Sequence, residues 1–238
     1  MPLQAIIFDV DGTLAETEET HRAAFNLAFA EAGYAWCWSP DDYTALLTTT
    51  GGRERIGRHM TEIGVSPDPA VIAALHVRKN QLYADLIASG AVAPRPGVRE
   101  LIAEARRDGI ATAIATTTSR SNLIALLDRI FGPKAMHGFA AVICGEDVAA
   151  KKPDPEVYRR ALAALGLRAP ACVAIEDSAN GLAAARACGI ATVVTLSRYT
   201  IGEHFDGAAL VRESLADDNG RVGIAELRAL LTQMAAAV

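Results

Sequence analysis

The chain has no C-x-x-C pair, no excess of basic residues and no apolar run near the roughly 20 residues that a membrane span requires. Its four cysteines, Cys37, Cys144, Cys172 and Cys188, are scattered. That spacing excludes a zinc ribbon or a thioredoxin-type site, and a disulfide framework does not suit a chain of 238 residues. Cys144, Cys172 and Cys188 sit beside apolar or small residues, as buried free thiols do. Lysine and arginine number 23 against 28 aspartates and glutamates, a net charge of −5. Nucleic acid and anionic membranes call for net basic surfaces, so neither is expected as a partner. No basic segment followed by an apolar core opens the chain, so a cytoplasmic protein is expected. There is no internal repeat, and no low-complexity tract beyond general alanine richness.

What is present suits a globular enzyme. Hydrophobic residues make up 51% and charged residues 21%, enough for a sizeable core. At about 150 residues per domain, the length corresponds to one domain carrying a large insertion, or to two small ones.

Ala5-Ile6-Ile7-Phe8 is a short apolar run that predicts a buried strand. Apolar positions at helical spacing follow from Thr17 to Ala32, with Gly33 as a stop. Breaks at Gly51-Gly52 and at 64–69, and helical spacing from Val71 to Ala88, extend this style to about Gly90 with no strong strand. After the hinge Ala93-Pro94-Arg95-Pro96-Gly97 the pattern changes. Helices are expected at 98–107, 121–130, 155–165, 181–187 and 222–236, with strands at 110–115, 141–144, 172–175 and 190–196. Alternation of this kind implies βαβ units around a buried parallel sheet. The expected fold is therefore α/β: a Rossmann-like core of residues 1–16 and 91–238, with a helical insertion, 17–90, after the first strand.

Three polar groups fall where strands should end, which is where open parallel sheets bind ligands. They are Asp9-Val10-Asp11, Thr116-Thr117-Thr118 and Glu176-Asp177-Ser178. Lys151-Lys152-Pro153-Asp154 lies between the second and third. Each alone has an ordinary explanation as a turn, a helix cap or a solvated loop. Together and in order they describe a phosphoryl-transfer site. Carboxylates at the exits of buried strands repel one another unless a cation sits among them. Oxygen ligands of this kind suit Mg²⁺. Thr116 can offer a hydroxyl and backbone N–H groups to phosphate oxygens, and Lys152 a point charge. Asp9, continuing the strand, is the better nucleophile. Asp11, in the turn, is the better acid–base.

These motifs resemble those of the haloacid dehalogenase superfamily of phosphohydrolases. They are Phe-Asp-Val-Asp-Gly-Thr-Leu at 8–14, Ala-Thr-Thr at 115–117, Lys152-Pro153-Asp154 and Ile-Glu-Asp-Ser-Ala-Asn-Gly at 175–181. The resemblance implies Asp9 as nucleophile, Asp11 as acid–base, and Thr116, Thr117 and Lys152 as phosphate ligands. It implies Mg²⁺ held by Asp9, the backbone carbonyl of Asp11, and Asp177 with Glu176 nearby. The helical insertion is similar to the cap of the subgroup containing β-phosphoglucomutase and phosphoglycolate phosphatase.

Thr17 and His21 fall on one face of the first insertion helix and resemble the pair that contacts the acid–base in mutase-like members. Gly52 and Arg53, in Gly-Gly-Arg-Glu-Arg-Ile, and Lys79, in Arg78-Lys79-Asn80, are expected to face the same cleft and meet a distal phosphate. These segments resemble the CbbY-type subfamily found with Calvin-cycle genes, which implies a sugar bisphosphate phosphatase acting on xylulose 1,5-bisphosphate. A β-phosphoglucomutase-like mutase and a phosphoglycolate-type phosphatase remain alternatives at this point. A response-regulator domain fits less well, since its acidic pair and its acceptor aspartate lie on different strands. A small sugar phosphate is the expected partner, and a monomer the expected state. Closure about 14–16 and 94–97 should exclude water and deliver insertion residues to the site.

Overall fold

A computed structural model describes residues 2–90 and 92–236. Strand β1 (Ala5–Phe8) leads into four helices, α1 (Glu18–Glu31), α2 (Pro40–Leu47), α3 (Gly52–Glu62) and α4 (Pro69–Ser89). Then come α5 (Val98–Arg107), β2 (Ala111–Ala115), α6 (Arg120–Phe131), β3 (Ala141–Ile143), α7 (Glu156–Leu165), β4 (Cys172–Glu176), α8 (Ala179–Ala187) and β5 (Ala191–Thr195). Strand β6 (Leu210–Arg212), the hairpin β7 (Ala216–Asp217) and β8 (Gly220–Arg221), and α9 (Ile224–Ala236) complete the chain.

Six strands form one parallel sheet in the order β3-β2-β1-β4-β5-β6. This is the expected α/β architecture. Strand β1 is central, pairing Phe8 with Ile114 on one side and Ile175 on the other. The crossovers reverse direction between β1 and β4, so the crevice beyond their carboxyl ends is a topological switch point. Both faces of the sheet are covered. Ile6 and Phe8 join one apolar cluster with residues of α5, α6 and α9, while Ala5 and Ile7 join another with α7 and α8.

Local signals account for the starts of α2 and α4. Ser39 and Asp42 form a capping box at α2, with Pro40 in the first turn. Asp68 caps α4 ahead of Pro69. Phe25, Phe29, Trp38, Tyr43, Ile56 and Leu75 pack into a separate aromatic-rich cluster, and Tyr199, from the loop after β5, reaches into it. The expected strands and helices from 98 onward all occur, with ends shifted by one or two residues. Strand β6, the β7–β8 hairpin and the separate helices α2 and α3 are additions to the expectation. All four cysteines are free thiols, with Cys144 and Cys172 buried. No helix among the described residues is long and apolar enough to cross a membrane.

Candidate active site

The turn after β1 brings Asp9 to the centre of the carboxyl edge of the sheet. Asp9 is buried, and the loop carrying Lys152 crosses above it. The Lys152 ammonium donates to Asp9 Oδ1 and to Glu176 Oε1, each at 2.6 Å. Glu176 Oε1 also accepts from the Tyr158 hydroxyl, while Oε2 has no partner. Asp177, next along the chain, accepts a hydrogen bond from Ser197.

Oxygens of Asp9, Glu176 and Asp177 lie within 4.8 Å of one another, and all three residues are buried. Burial, opposed by Lys152 and reinforced by Glu176, pushes Asp9 well above the ordinary carboxylate range. Burial and the charges of Asp9 and Glu176 push Asp177 the same way. Burial disfavours the Lys152 ammonium, but Asp9 and Glu176 outweigh it and keep the group protonated. Three buried carboxylates balanced by one ammonium form a donor set with two positive charges too few. A hard divalent cation fits this donor set, whose oxygens lie within 4.8 Å of one another. Glu176 has one oxygen committed to Lys152 and Tyr158, so it also positions the lysine.

Asp11 turns its carboxylate away from this cluster. Its Oδ1 accepts from the Thr17 hydroxyl at 2.6 Å and meets His21 Nε2 at 2.9 Å. Burial would raise Asp11, but the His21 ring and the hydrogen bonds from His21 and Thr17 outweigh it and hold the group at about 2. Lys79 Nζ stands 2.5 Å from His21 Nδ1, so an ammonium there donates to Nδ1 and leaves the ring proton on Nε2, facing Asp11. The ring itself stacks on Tyr83 at 4.1 Å. Burial lowers both His21 and Lys79, the latter to about 7.

A single cavity joins these groups. Asp9, Asp11, Thr116, Thr117, Lys152 and Asp177 line it from the sheet side, and His21, Gly52, Arg55, His76 and Lys79 from the helical side. Contacts across it hold the two sides together. The Thr50 hydroxyl donates to the Lys152 carbonyl, Asn122 Nδ2 to Asn80 Oδ1 at 3.0 Å, and the Tyr199 hydroxyl to Glu19. The Thr116 side chain is 1% exposed and accepts from the Thr118 N–H at 3.1 Å.

One expectation is corrected. Arg53 does not line the cavity: it is exposed, and the buried Arg55 takes that place. At about 100° per residue the two arginines point to opposite sides of α3, and Arg55 shares its face with Ile56 and Met60. Arg78 likewise turns outward to pair with Glu31, while Lys79 is on the buried face with Leu75, Leu82 and Tyr83. The apolar stripe of each helix carried this information in the sequence. His76 was not anticipated. It touches Gly52, where an added Cβ would lie 2.7 Å from its Cδ2, so the missing side chain makes room for the ring. Glu18, Ser119, Asn122 and Glu203 are further lining residues that the motifs did not reveal.

A family profile described as haloacid dehalogenase-like hydrolase matches residues 3–189. The chain belongs to the haloacid dehalogenase-like hydrolase family. It is an enzyme of that family, and its resemblances within the family are extensive. It is 53% identical over 208 residues to the protein CbbY of Rhodobacter capsulatus, covering 87% of this chain and 92% of that protein. The crystal structure of CbbY from Rhodobacter sphaeroides in complex with phosphate is 47% identical, with a TM-score of 0.89, covering 94% of this chain and 99% of that one. A variant of that protein in complex with xylulose 1,5-bisphosphate is 46% identical, with the same TM-score of 0.89 and 93% and 99% coverage.

Proposed function

We propose that this hydrolase is a Mg²⁺-dependent phosphatase that removes one phosphate from a sugar bisphosphate, with xylulose 1,5-bisphosphate as substrate. One observation carries the reading: a single cavity has two separate cationic places. Lys152 stands beside Asp9 on the sheet side, and Arg55 and Lys79 stand on the helical side. A substrate with one anionic end matches only one of them. The complex of the CbbY variant with xylulose 1,5-bisphosphate supports the same choice. In this reading 17–90 is a cap over a core of 1–16 and 91–238, and the protein is a cytoplasmic monomer serving carbon fixation in the Calvin cycle.

Asp9 is the nucleophile. Lys152 holds one of its oxygens, which leaves the other free to attack phosphorus and form an aspartyl-phosphate. Mg²⁺, held by Asp9, Asp177, Glu176 and the Asp11 carbonyl, would neutralise charge on the transferring group. Thr116 and Thr117 face the phosphate oxygens from the end of β2. Asp11, ionised in the substrate-free site, takes up a proton as the substrate phosphate enters, gives it to the leaving oxygen and then takes one from the attacking water. Thr17 and His21 hold its carboxylate, and Lys79 sets the tautomer of His21. Closure over the cavity keeps bulk water from the intermediate.

The test is phosphate release from xylulose 1,5-bisphosphate, ribulose 1,5-bisphosphate, 2-phosphoglycolate and β-glucose 1-phosphate. Turnover of the first should be fastest, should stop with EDTA, and should fall at least about 10⁴-fold in Asp9→Asn. Isomerisation of β-glucose 1-phosphate without net phosphate release would replace this reading with a mutase. Full turnover in Asp9→Asn would remove the nucleophile.

A further inference from the structure

Arg95 lies between α4 and α5, outside the cavity, and is 8% exposed. Its backbone N–H donates to the Leu14 carbonyl at 2.9 Å, tying together the two chain segments that join the helical insertion to the sheet. The guanidinium binds carbonyls in three places. Nη1 donates to the Gly12 carbonyl, to the Thr195 carbonyl at 3.2 Å and to the Thr195 hydroxyl at 3.0 Å. Nη2 donates to the carbonyls of Leu196, at 2.5 Å, and Glu213, at 2.7 Å. Nε faces the half-exposed carboxylate of Glu16 at 3.3 Å. One buried side chain thus joins the turn after β1, the end of β5 and the loop after β6.

The turn it holds is the one that carries the chemistry. Gly12 follows Asp11 directly and has a left-handed φ of 79°. A Cβ there would lie 2.0 Å from Asp177 Oδ2, so the backbone of Gly12 rests on that carboxylate. Its carbonyl is the group that Arg95 grips. On the other side, the Thr195 hydroxyl that Arg95 contacts lies 3.5 Å from the Glu176 carbonyl, one residue before Asp177.

We infer that Arg95 is a positioning residue for phosphoryl transfer: by clamping the Gly12 peptide to the end of β5, it sets the spacing between Asp11 and Asp177. A guanidinium suits this task because its five N–H donors diverge in fixed directions and reach several carbonyls at once. A lysine in its place would keep the charge and lose most of the clamp. The kinetic part of the inference rests on the phosphatase reading above.

The experiment compares the full-length parent with Arg95→Ala and Arg95→Lys at temperatures where each is folded. Displacements near an ångström cost about 100-fold in rate, so Arg95→Ala should lose about that much kcat while KM changes little. Residues outside the first shell of a metal site typically change its affinity by 10- to 100-fold. The Mg²⁺ concentration that half-maximally raises the melting temperature of the substrate-free protein should therefore rise about tenfold or more. Added guanidinium at millimolar concentration should restore part of the Arg95→Ala rate and none of the parent's. Arg95→Lys should fall between the two in both readouts.

A merely structural arginine would lower the melting temperature and leave kcat and the Mg²⁺ midpoint within twofold of the parent, and that result would overturn the inference. Should Arg95→Ala not fold, the same two readouts in Arg95→Lys decide it. A parent that releases no phosphate from any sugar phosphate would sink the phosphatase reading, while the Mg²⁺ midpoints would still judge Arg95.

Discussion

The two walls of the cavity hold their charges in different ways. On the core wall one ammonium is locked between carboxylates: Lys152 bridges Asp9 and Glu176. On the cap wall the cations lie over aromatic rings. Arg55 sits 4.9 Å from the Tyr43 centroid, and Lys79 sits 4.8 Å from Phe25 and 5.1 Å from Tyr83. Ion pairs fix positions to fractions of an ångström, as bond-making requires. Rings supply a broad, weaker attraction, and the buried Nε of Arg55 keeps no hydrogen-bond partner, open to an incoming anion. On the proposed reading, the core wall serves chemistry on any phosphate and the cap wall the choice of the molecule that carries it.

Removing a core-wall cation is the most severe way to challenge that contrast. Lys152→Met leaves Asp9, Glu176 and Asp177 crowded with no ammonium among them. The rate should fall by about 10³-fold, and by the same factor for a bisphosphate and for a simple phosphate ester. A loss confined to the bisphosphate would mean that Lys152 selects rather than reacts. Its measurement is kcat/KM on both substrates.

The cap wall should respond in the opposite sense. Arg55→Ala should raise KM for the bisphosphate about 10- to 50-fold, with kcat nearly unchanged and the simple ester barely affected. Arg53→Ala, an exposed position on the other face of α3, should stay within about twofold on both substrates. Equal effects of the two arginines would mean that the distal phosphate sits at the rim rather than inside.

The same contrast explains what could be read from the sequence. Core-wall residues follow buried parallel strands, and a strand that runs Ala-Ile-Ile-Phe before Asp9 announces both itself and its end. Three such ends in order, with the Lys152 loop between the second and third, identify the switch point of the sheet. Cap-wall residues lie on helix faces, where a neighbour in sequence is 100° away in space. Arg53 and Arg78 therefore look as good as Arg55 and Lys79 until the apolar stripe of each helix is aligned with them. His76 carries no motif: only the packing of α3 on α4 brings it against Gly52. Strand β6 was missed because it is three residues long and partly exposed at the edge of the sheet. Arg95 sat in plain view between two prolines, but its partners are carbonyls about 80 to 120 positions away along the chain, and carbonyls leave no mark in a sequence.

The smallest expected effect separates the two walls by their lysines. Burial pulls Lys79 from its ordinary 10.5 down to about 7, whereas its carboxylate neighbours hold Lys152 protonated. Between pH 7 and 10.5 the unfolded chain carries a proton on residue 79 that the native protein has shed. Raising the pH across this window therefore favours the native state, by at most about 1.4 kcal/mol per pH unit. Below pH 7 residue 79 is charged in both states and contributes no slope. Lys152 is protonated in both states up to pH 10.5, so it adds none within the window. The buried carboxylates of the core wall contribute to the parent and to Lys79→Met alike, and cancel when the two are compared. Urea unfolding without Mg²⁺ should show the parent-minus-variant stability rising from pH 7.5 to 9.5, above the range where His21 and His76, which feel the Lys79 charge, titrate in the unfolded chain. A difference that stays flat throughout would mean that Lys79 remains an ammonium in the folded protein, and that the cap wall holds its charge as firmly as the core wall does.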